Sequence, residues 1–390
     1  MHVALLCGQQ DLGERREALR SLVVGMVSEG VRVSVAVPEG TNVEDVPGGG
    51  LGGATLSFAT PAFAIGGRWM GAWLYGKVGS GRHWVRLAEQ IEALGESSGG
   101  PGVIVSSDAE TWLAAVAVGR LLDVPVLLFC HDRFDARLAP RLFTTLNPTR
   151  CLMVAGSEPI AQQLRDATQN LVVVEHVPPG VHLSDRTPRE RGPDDALCVV
   201  VSTDGPLDES YLACLEGLAA HCRERPSTLA LLEGPHPDSH ATYKQLRRLG
   251  LTGQCSFAPR GRDLKVAKGV DGLLLQADAV LHPQALGRNR PITLEAMTRG
   301  LPVAAADDAA LDTLIDGHTA WVVDETLPYE RLAEAWHGVL TRLCEEPEEA
   351  RALGRRAQQW VREEHLFSDE LERVLGLCRR LSAEPVRFPG

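Results

Sequence analysis

Short apolar runs alternate with amphipathic stretches along most of this chain, and that rhythm restricts it to folds built on parallel sheet. In the first half the runs are HVALLC, VRVSVAV, VIVSS, PVLLFC, CLMVA and LVVVEHV, with helical stretches such as Glu14 to Glu29 between them. Runs this short, apolar throughout rather than alternating, read as strands covered on both faces. The segment SDRTPRERGPDD at 184–195 is polar, rich in Pro and Arg, and without period, so it reads as an interdomain linker. The rhythm then restarts with ALCVVVS, TLALLEG, QCSFA, DAVLHP, LPVAAA and TAWVV. From Tyr329 onward the pattern is helical, with apolar residues three and four apart in PYERLAEAWHGVLTRLCEE, EEARALGRRAQQWVREE and DELERVLGLCRRL. The expected organisation is α/β: a doubly wound Rossmann-like domain over 1–183, the linker, a second such domain over 196–365, and a last helix over 366–390.

A chain of 390 residues exceeds the length at which one core stays single, which agrees with two domains. Its net charge of −12 argues against nucleic acid as a partner, because binding by phosphate neutralisation needs a basic surface. The nine cysteines form no C-x-x-C pair and are odd in number, so neither a zinc site nor a disulfide framework is expected. No run reaches the roughly eighteen apolar residues of a membrane-spanning helix, and MHVALLCGQQ lacks a basic leader region and cleavage site. A cytoplasmic protein is the expectation.

Six of the nineteen aromatic residues fall between Phe58 and Trp84, in a Gly-rich segment without clear period. Two readings are open. The segment packs on the first sheet, or it recognises an acceptor, a protein partner or the inner face of a membrane, since Trp and Tyr suit sites apolar at one end and wet at the other.

Several segments in order carry a family resemblance. PPGVH at 178–182, LLEGP at 231–235, DAVLHP at 278–283 and GRNRPITLEAMTRGLPVA at 287–304 together resemble the retaining family 4 glycosyltransferases. The resemblance implies the GT-B architecture, two Rossmann-like domains facing a central cleft, with the final helices crossing back to the N-terminal domain. It also implies a nucleotide-sugar donor, an acceptor that is a glycan, lipid or small molecule, and no metal or other cofactor.

The family pattern at the donor-site helix is E-x7-E, the first Glu on the sugar and the second on the ribose. Glu295 stands at the second position and Gly287 at the first. Physical reasons favour the same place for a ligand. Pro291 suits the first position of a helix whose unpaired N–H groups attract a diphosphate, and an ionised Glu295 accepts hydrogen bonds from ribose hydroxyls. The alternative role of Glu295 is simply to favour the helix dipole. Asn289, Thr293 and Leu294 complete the donor-binding set that the resemblance implies. His131, directly after PVLLFC, is the candidate catalytic residue, because α/β sheets place ligands at the C-terminal ends of strands. Asp132 either positions it or starts the next turn.

The chain departs from the family after the first strand of the second domain. Where the family has an Arg and a Lys for the leaving diphosphate, STDGPLDES puts Thr203 and Asp208. A lost oxyanion-type donor typically costs about 3 to 4 kcal/mol of transition-state stabilisation. Arg288 and Arg290 are candidates to restore the charge, since guanidinium forks bind phosphate bidentately; Arg262, Lys265 and Lys268 are a second source. The expected function is sugar transfer from a nucleotide-sugar with retention. The alternative is a catalytically silent GT-B protein that acts as a binding or partner subunit, and a nucleotide-sugar epimerase is a third reading.

Overall fold

The protein was analysed as a computed structural model that describes residues 1–8, 15–38, 41, 54–58, 80–95, 100–146, 150–185, 191–192, 195–203, 207–234, 240–258, 270–288 and 290–383. It divides into two compact units, one of residues 1–180 with 368–390, the other of residues 181–367.

In the first unit β1 (His2–Leu6), α1 (Arg16–Ser28), β2 (Arg32–Pro38), β3 (Ala54–Phe58), α2 (Ser80–Gly95), β4 (Val103–Ser106) and α3 (Trp112–Leu122) follow in turn. After them come β5 (Val126–Cys130), α4 (Arg133–Leu146), β6 (Cys151–Ala155), α5 (Glu158–Ala167) and β7 (Val173–His176). The sheet runs β3-β2-β1-β4-β5-β6-β7, and every pairing is parallel. Strand side chains alternate faces, so Val3, Leu5, Val33, Val35, Val103, Val105, Leu127, Phe129, Leu152 and Val154 all enter one core cluster.

That cluster also contains Val374, Leu375, Cys378 and Leu381 from the last helix, α12 (Phe367–Ala383). Their three- and four-residue spacing forms one apolar stripe, which is what assigns the end of the chain to the first unit. Arg380 pairs with Glu175 on β7 at 2.5 Å on the same side.

The second unit contains β8 (Cys198–Ser202), α6 (Glu209–Glu224), β9 (Leu229–Glu233), α7 (His240–Leu249), β10 (Cys255–Phe257), α8 (Val270–Leu274) and β11 (Ala279–His282). It continues with α9 (Pro291–Thr298), β12 (Val303–Ala306), β13 (Trp321–Val323), α10 (Tyr329–Glu345) and α11 (Pro347–Glu364). Its parallel sheet has the order β10-β9-β8-β11-β12-β13. One core layer centres on Tyr211, Leu215, Trp336 and Leu340, between the sheet, α6 and α10. The other places Ile292, Leu294 and Met297 of α9 with Ala357 and Val361 of α11. The segment 184–195, expected to be a linker, falls inside this unit's span, which begins at Val181; Arg191 donates to the Leu343 carbonyl at 3.1 Å and so belongs to its packing.

Two close approaches hold the second unit together. At Gly354 on α11 an added Cβ would overlap the Gly300 carbonyl just past α9, so the helices approach there only because glycine has no side chain. His221 of α6 is fully enclosed, its Nε2 3.9 Å from Cys344 Sγ and its ring 6.1 Å from that of His337. Burial, then the charges of His337 and Arg225, push its pKa from 6.5 down to about 4.

Two outcomes are expected. Gly354→Ala should destabilise the protein by about 1–3 kcal/mol through overpacking, read as a lower denaturant midpoint. Between 6.5 and about 4 the unfolded chain takes up a proton at His221 that the folded chain refuses, so stability falls as pH drops through that window. His221→Gln should flatten this slope in urea melts at about pH 5 and about pH 7.

Candidate functional site

In the second unit β8, β9 and β11 end side by side, and their C-terminal ends meet the start of α9. Arg290 caps α9 in extended conformation, with Pro291 as the first helical residue, the sequence signal for a helix start. The Arg290 side chain is only 5% exposed and turns inward. It donates to the carbonyl of Thr203 at the end of β8, and to Oε1 and Oε2 of Glu233 at the end of β9, at 3.2 and 2.9 Å. Ser202 adds its hydroxyl to Glu233 Oε2 at 3.0 Å, and the Thr203 N–H donates to the Glu233 carbonyl at 2.9 Å. One buried guanidinium thus stitches two strand ends to a helix start. Its charge is compensated by Glu233, whose side chain keeps 22% of its surface in solvent.

Asp208 lies at the N-terminus of α6, in the position of a cap. Its Oδ1 accepts from the Tyr211 N–H and its Oδ2 from Gln284 Nε2, both at 2.8 Å. A carboxylate facing a diphosphate would be repulsive, but Asp208 instead satisfies a helix end. Thr203, the other departure from the family pattern, is fully buried and supplies backbone groups.

Gly287 occupies the place where the family has its first Glu. Its φ is +69°, a conformation that strains any residue with a Cβ, so the missing carboxylate is built into the turn. Its N–H donates to the carboxylate of buried Asp308, which also accepts from the Ala310 N–H at 3.0 Å.

Glu295 lies on α9, its side chain 27% exposed. Arg299, one turn on, brings Nη1 to 3.9 Å from the Glu295 carboxylate and donates to the Glu295 carbonyl at 2.6 Å. Thr293 and Leu294 are buried and join Arg288, Arg290, His282 and Thr313 around a cavity of about 10 Å³, room for about one water. Asn289, Arg262, Lys265 and Lys268 lie outside the described residues, as does most of the aromatic segment; its last residue, Trp84, is buried in the first unit.

His131 follows β5 in the first unit, as expected of a residue at a strand end. Its Nε2 is 2.7 Å from the Ser107 carbonyl, and because a carbonyl only accepts, Nε2 is the donor. Phe129 stacks on it at 5.7 Å. Asp132 starts the next turn: its Oδ1 accepts from the Asp135 N–H at 2.7 Å at the head of α4. Among the described residues no group of three or more His, Cys, Asp or Glu is arranged to hold a metal ion.

Sequence reasoning missed Glu233, Asp308, Gln284 and Ser202. Glu233 carried a signal, since it sits inside the LLEGP segment.

No family model and no curated protein sequence matches the chain. Solved structures do. Anabaena Alr3699/HepE in complex with UDP and glucose is 15% identical, with 98% of this chain and 99% of that one covered and a TM-score of 0.71. A glycosyltransferase from Rickettsia africae is 13% identical at the same coverage, with a TM-score of 0.68. Sucrose-phosphate synthase from Thermosynechococcus elongatus is 15% identical, again over 98% and 99%, with a TM-score of 0.66. At this identity the likeness is one of fold: two Rossmann-like units of the GT-B type.

Replacing Arg290 by Met would leave Glu233 without its cation. Breaking a buried pair costs about 3–5 kcal/mol, and the partial exposure of Glu233 lowers the expected loss to about 2 kcal/mol. Denaturant unfolding of Arg290→Met measures it, and Glu233→Gln should lose less.

Proposed function

We propose that the protein transfers a sugar from a nucleotide-sugar to an acceptor hydroxyl with retention, as a family 4 type glycosyltransferase. The observation that carries this reading is Glu295, a partly exposed carboxylate on a helix that starts with Pro291 where three parallel strands end. Such a helix start attracts phosphate, and an acceptor-only carboxylate suits ribose hydroxyls. Whole-length likeness to Anabaena Alr3699/HepE, solved with UDP and with UDP-glucose, supports it.

In this reading the acceptor oxygen attacks the anomeric carbon as its bond to the diphosphate breaks, and the acceptor proton passes to a departing phosphate oxygen on the same face. No protein nucleophile and no metal is required. Arg288, beside the start of α9, supplies charge to the leaving group, a role that Arg290 on Glu233 is poorly placed to share. His131, at the end of β5, is the residue of the first unit proposed to meet a hydroxyl of the sugar or the acceptor. The acceptor is a glycan, a lipid or a small molecule. No helix among the described residues is long and apolar enough to cross a membrane, and the localisation proposed is cytoplasmic, with peripheral contact to a membrane through 58–84.

A second reading, a catalytically silent binding subunit, has a specific observation in its favour. Asp208 sits on the start of α6, Glu233 on Arg290 and Asp308 on the Gly287 N–H, so protein carboxylates already hold groups that could meet a phosphate.

Thermal shift against a panel of nucleoside diphosphates and their sugars separates the two. A ligand at a hundredfold its Kd should stabilise by about 2.7 kcal/mol, and Glu295→Ala should abolish the shift. Binding with hydrolysis of the donor supports the transferase; no shift with any nucleotide, and no hydrolysis, would discard it for the silent subunit.

A further inference from the structure

The chain passes between its units twice, at Gly180–Val181 and at Phe367–Ser368. Any movement of one unit against the other must be taken up in these two passages. Within the second unit they are zipped together: the Val181 N–H donates to the His365 carbonyl at 2.9 Å, the Phe367 N–H donates to the Val181 carbonyl at 3.1 Å, and Val181 and Leu366 form a parallel bridge. The His182 ring lies 4.4 Å from that of Phe367 beside them, tilted by 37°. These are backbone and ring contacts.

Within the first unit the hold is of another kind. The Gly180 N–H donates to Oε2 of Glu370, on the first turns of α12, at 2.8 Å. α12 is itself anchored by its apolar stripe in the core of that unit. Glu370 therefore joins the last residue of the first passage to a fixed helix through one hydrogen bond to a carboxyl group. We infer that Glu370 is a proton-sensitive clip on the chain's exit from the first unit, gripping Gly180 tightly when ionised and loosely when protonated.

The physical reason is the strength of the bond. An N–H donating to a carboxylate is roughly twice as strong as one donating to a neutral carbonyl oxygen. Protonation turns the first kind into the second without removing the side chain. The surroundings set where this happens. Part of Glu370 reaches solvent, yet its carboxyl group is enclosed by protein, and burial pushes its pKa up from 4.5 to about 7. The Gly180 N–H and the charge of Arg15 pull the other way. Arg15, at the head of α1, is the charged group that faces Glu370 from that helix. The segment 178–180 presents Pro, Pro and Gly and no titratable side chain. On β7, Glu175 is engaged with Arg380 and His176 lies 3.6 Å from Glu158. On α12 itself Asp369 and Arg373 flank Glu370 in sequence. The midpoint thus falls close to neutrality, and the clip changes grip in a range where an ordinary Glu is ionised throughout. The inference is independent of what the protein transfers or binds.

The test uses the full-length protein labelled with ¹⁵N-glycine, with the Gly180 amide identified by its loss in Gly180→Ala. Its amide proton should move downfield as pH rises, with a midpoint near 7, and Glu370→Gln should abolish the titration. Arg15→Met should move the midpoint upward, because it removes the charge that favours the ionised form. A Gly180 amide that does not titrate, or that titrates unchanged in Glu370→Gln, would overturn the inference. Should Glu370→Gln fail to fold, Arg15→Met decides: an upward midpoint supports the clip, and an unmoved one refutes it.

Discussion

Everything in this fold follows from the need to cover both faces of two parallel sheets. Strands such as β1, β4 and β8 are buried along their whole length, and a parallel sheet so apolar is stable only with helices on each side. The last helix shows how strong the requirement is. The chain completes its second unit and then returns α12 to the first, where Val374, Leu375, Cys378 and Leu381 fill the core face beside β1 and β4. At about 25 cal/mol per Å² of apolar surface, burying this stripe offsets part of the backbone entropy of ordering one more helix, and the helix's own hydrogen bonds and contacts add to it.

Covering the sheets also places the chemistry. In parallel sheets all strands end on the same side, so polar residues that cannot be buried in the layers collect there. Ser202, Thr203, Glu233 and His282 are such residues, and the His282 Nδ1 lies 3.2 Å from the Ser202 carbonyl. They would be an expensive group to enclose without partners. Arg290 solves this by linking the Thr203 carbonyl and the Glu233 carboxylate, and it can do so because Pro291 starts α9 at that point.

This explains how much could be read from the residues in order. The strands and helices were legible, since short uniformly apolar runs and a period near 3.6 are local signals. The return of the last helix was expected from the family resemblance, and its apolar spacing is visible in DELERVLGLCRRL. The contacts of the site were not legible. Arg290 and Glu233 are 57 residues apart, and Asp208 and Gln284 are 76 apart. No periodicity connects such pairs, because their proximity follows from strand order. Asp208 is the instructive case. Compared with a family position it was a charge out of place, whereas its place before a helix made it an N-cap by local rules alone.

The same contacts decide what kind of anion site the second unit can offer. Arg290 cannot turn to a phosphate without leaving Glu233 a partly buried carboxylate held, among the described residues, by the Ser202 hydroxyl, a change that opposes binding by about 2 kcal/mol. Asp208 cannot leave α6 without exposing the Tyr211 N–H it satisfies. In the proposed reading, attraction for a diphosphate rests, among the described residues, on the start of α9 and on Arg288, with fewer fixed charges than the Arg and Lys of the family pattern would bring. Gly287, held at positive φ with its N–H on Asp308, adds none. A helix terminus contributes at most about 2 kcal/mol to an anion in a partly buried setting. Affinity for the rest of the ligand, above all the hydroxyl groups that Glu295 is disposed to accept, therefore has to supply the larger share. On the proposed function, the ligand that suits this arrangement of carboxylates is one recognised mainly through hydroxyls and only weakly through charge.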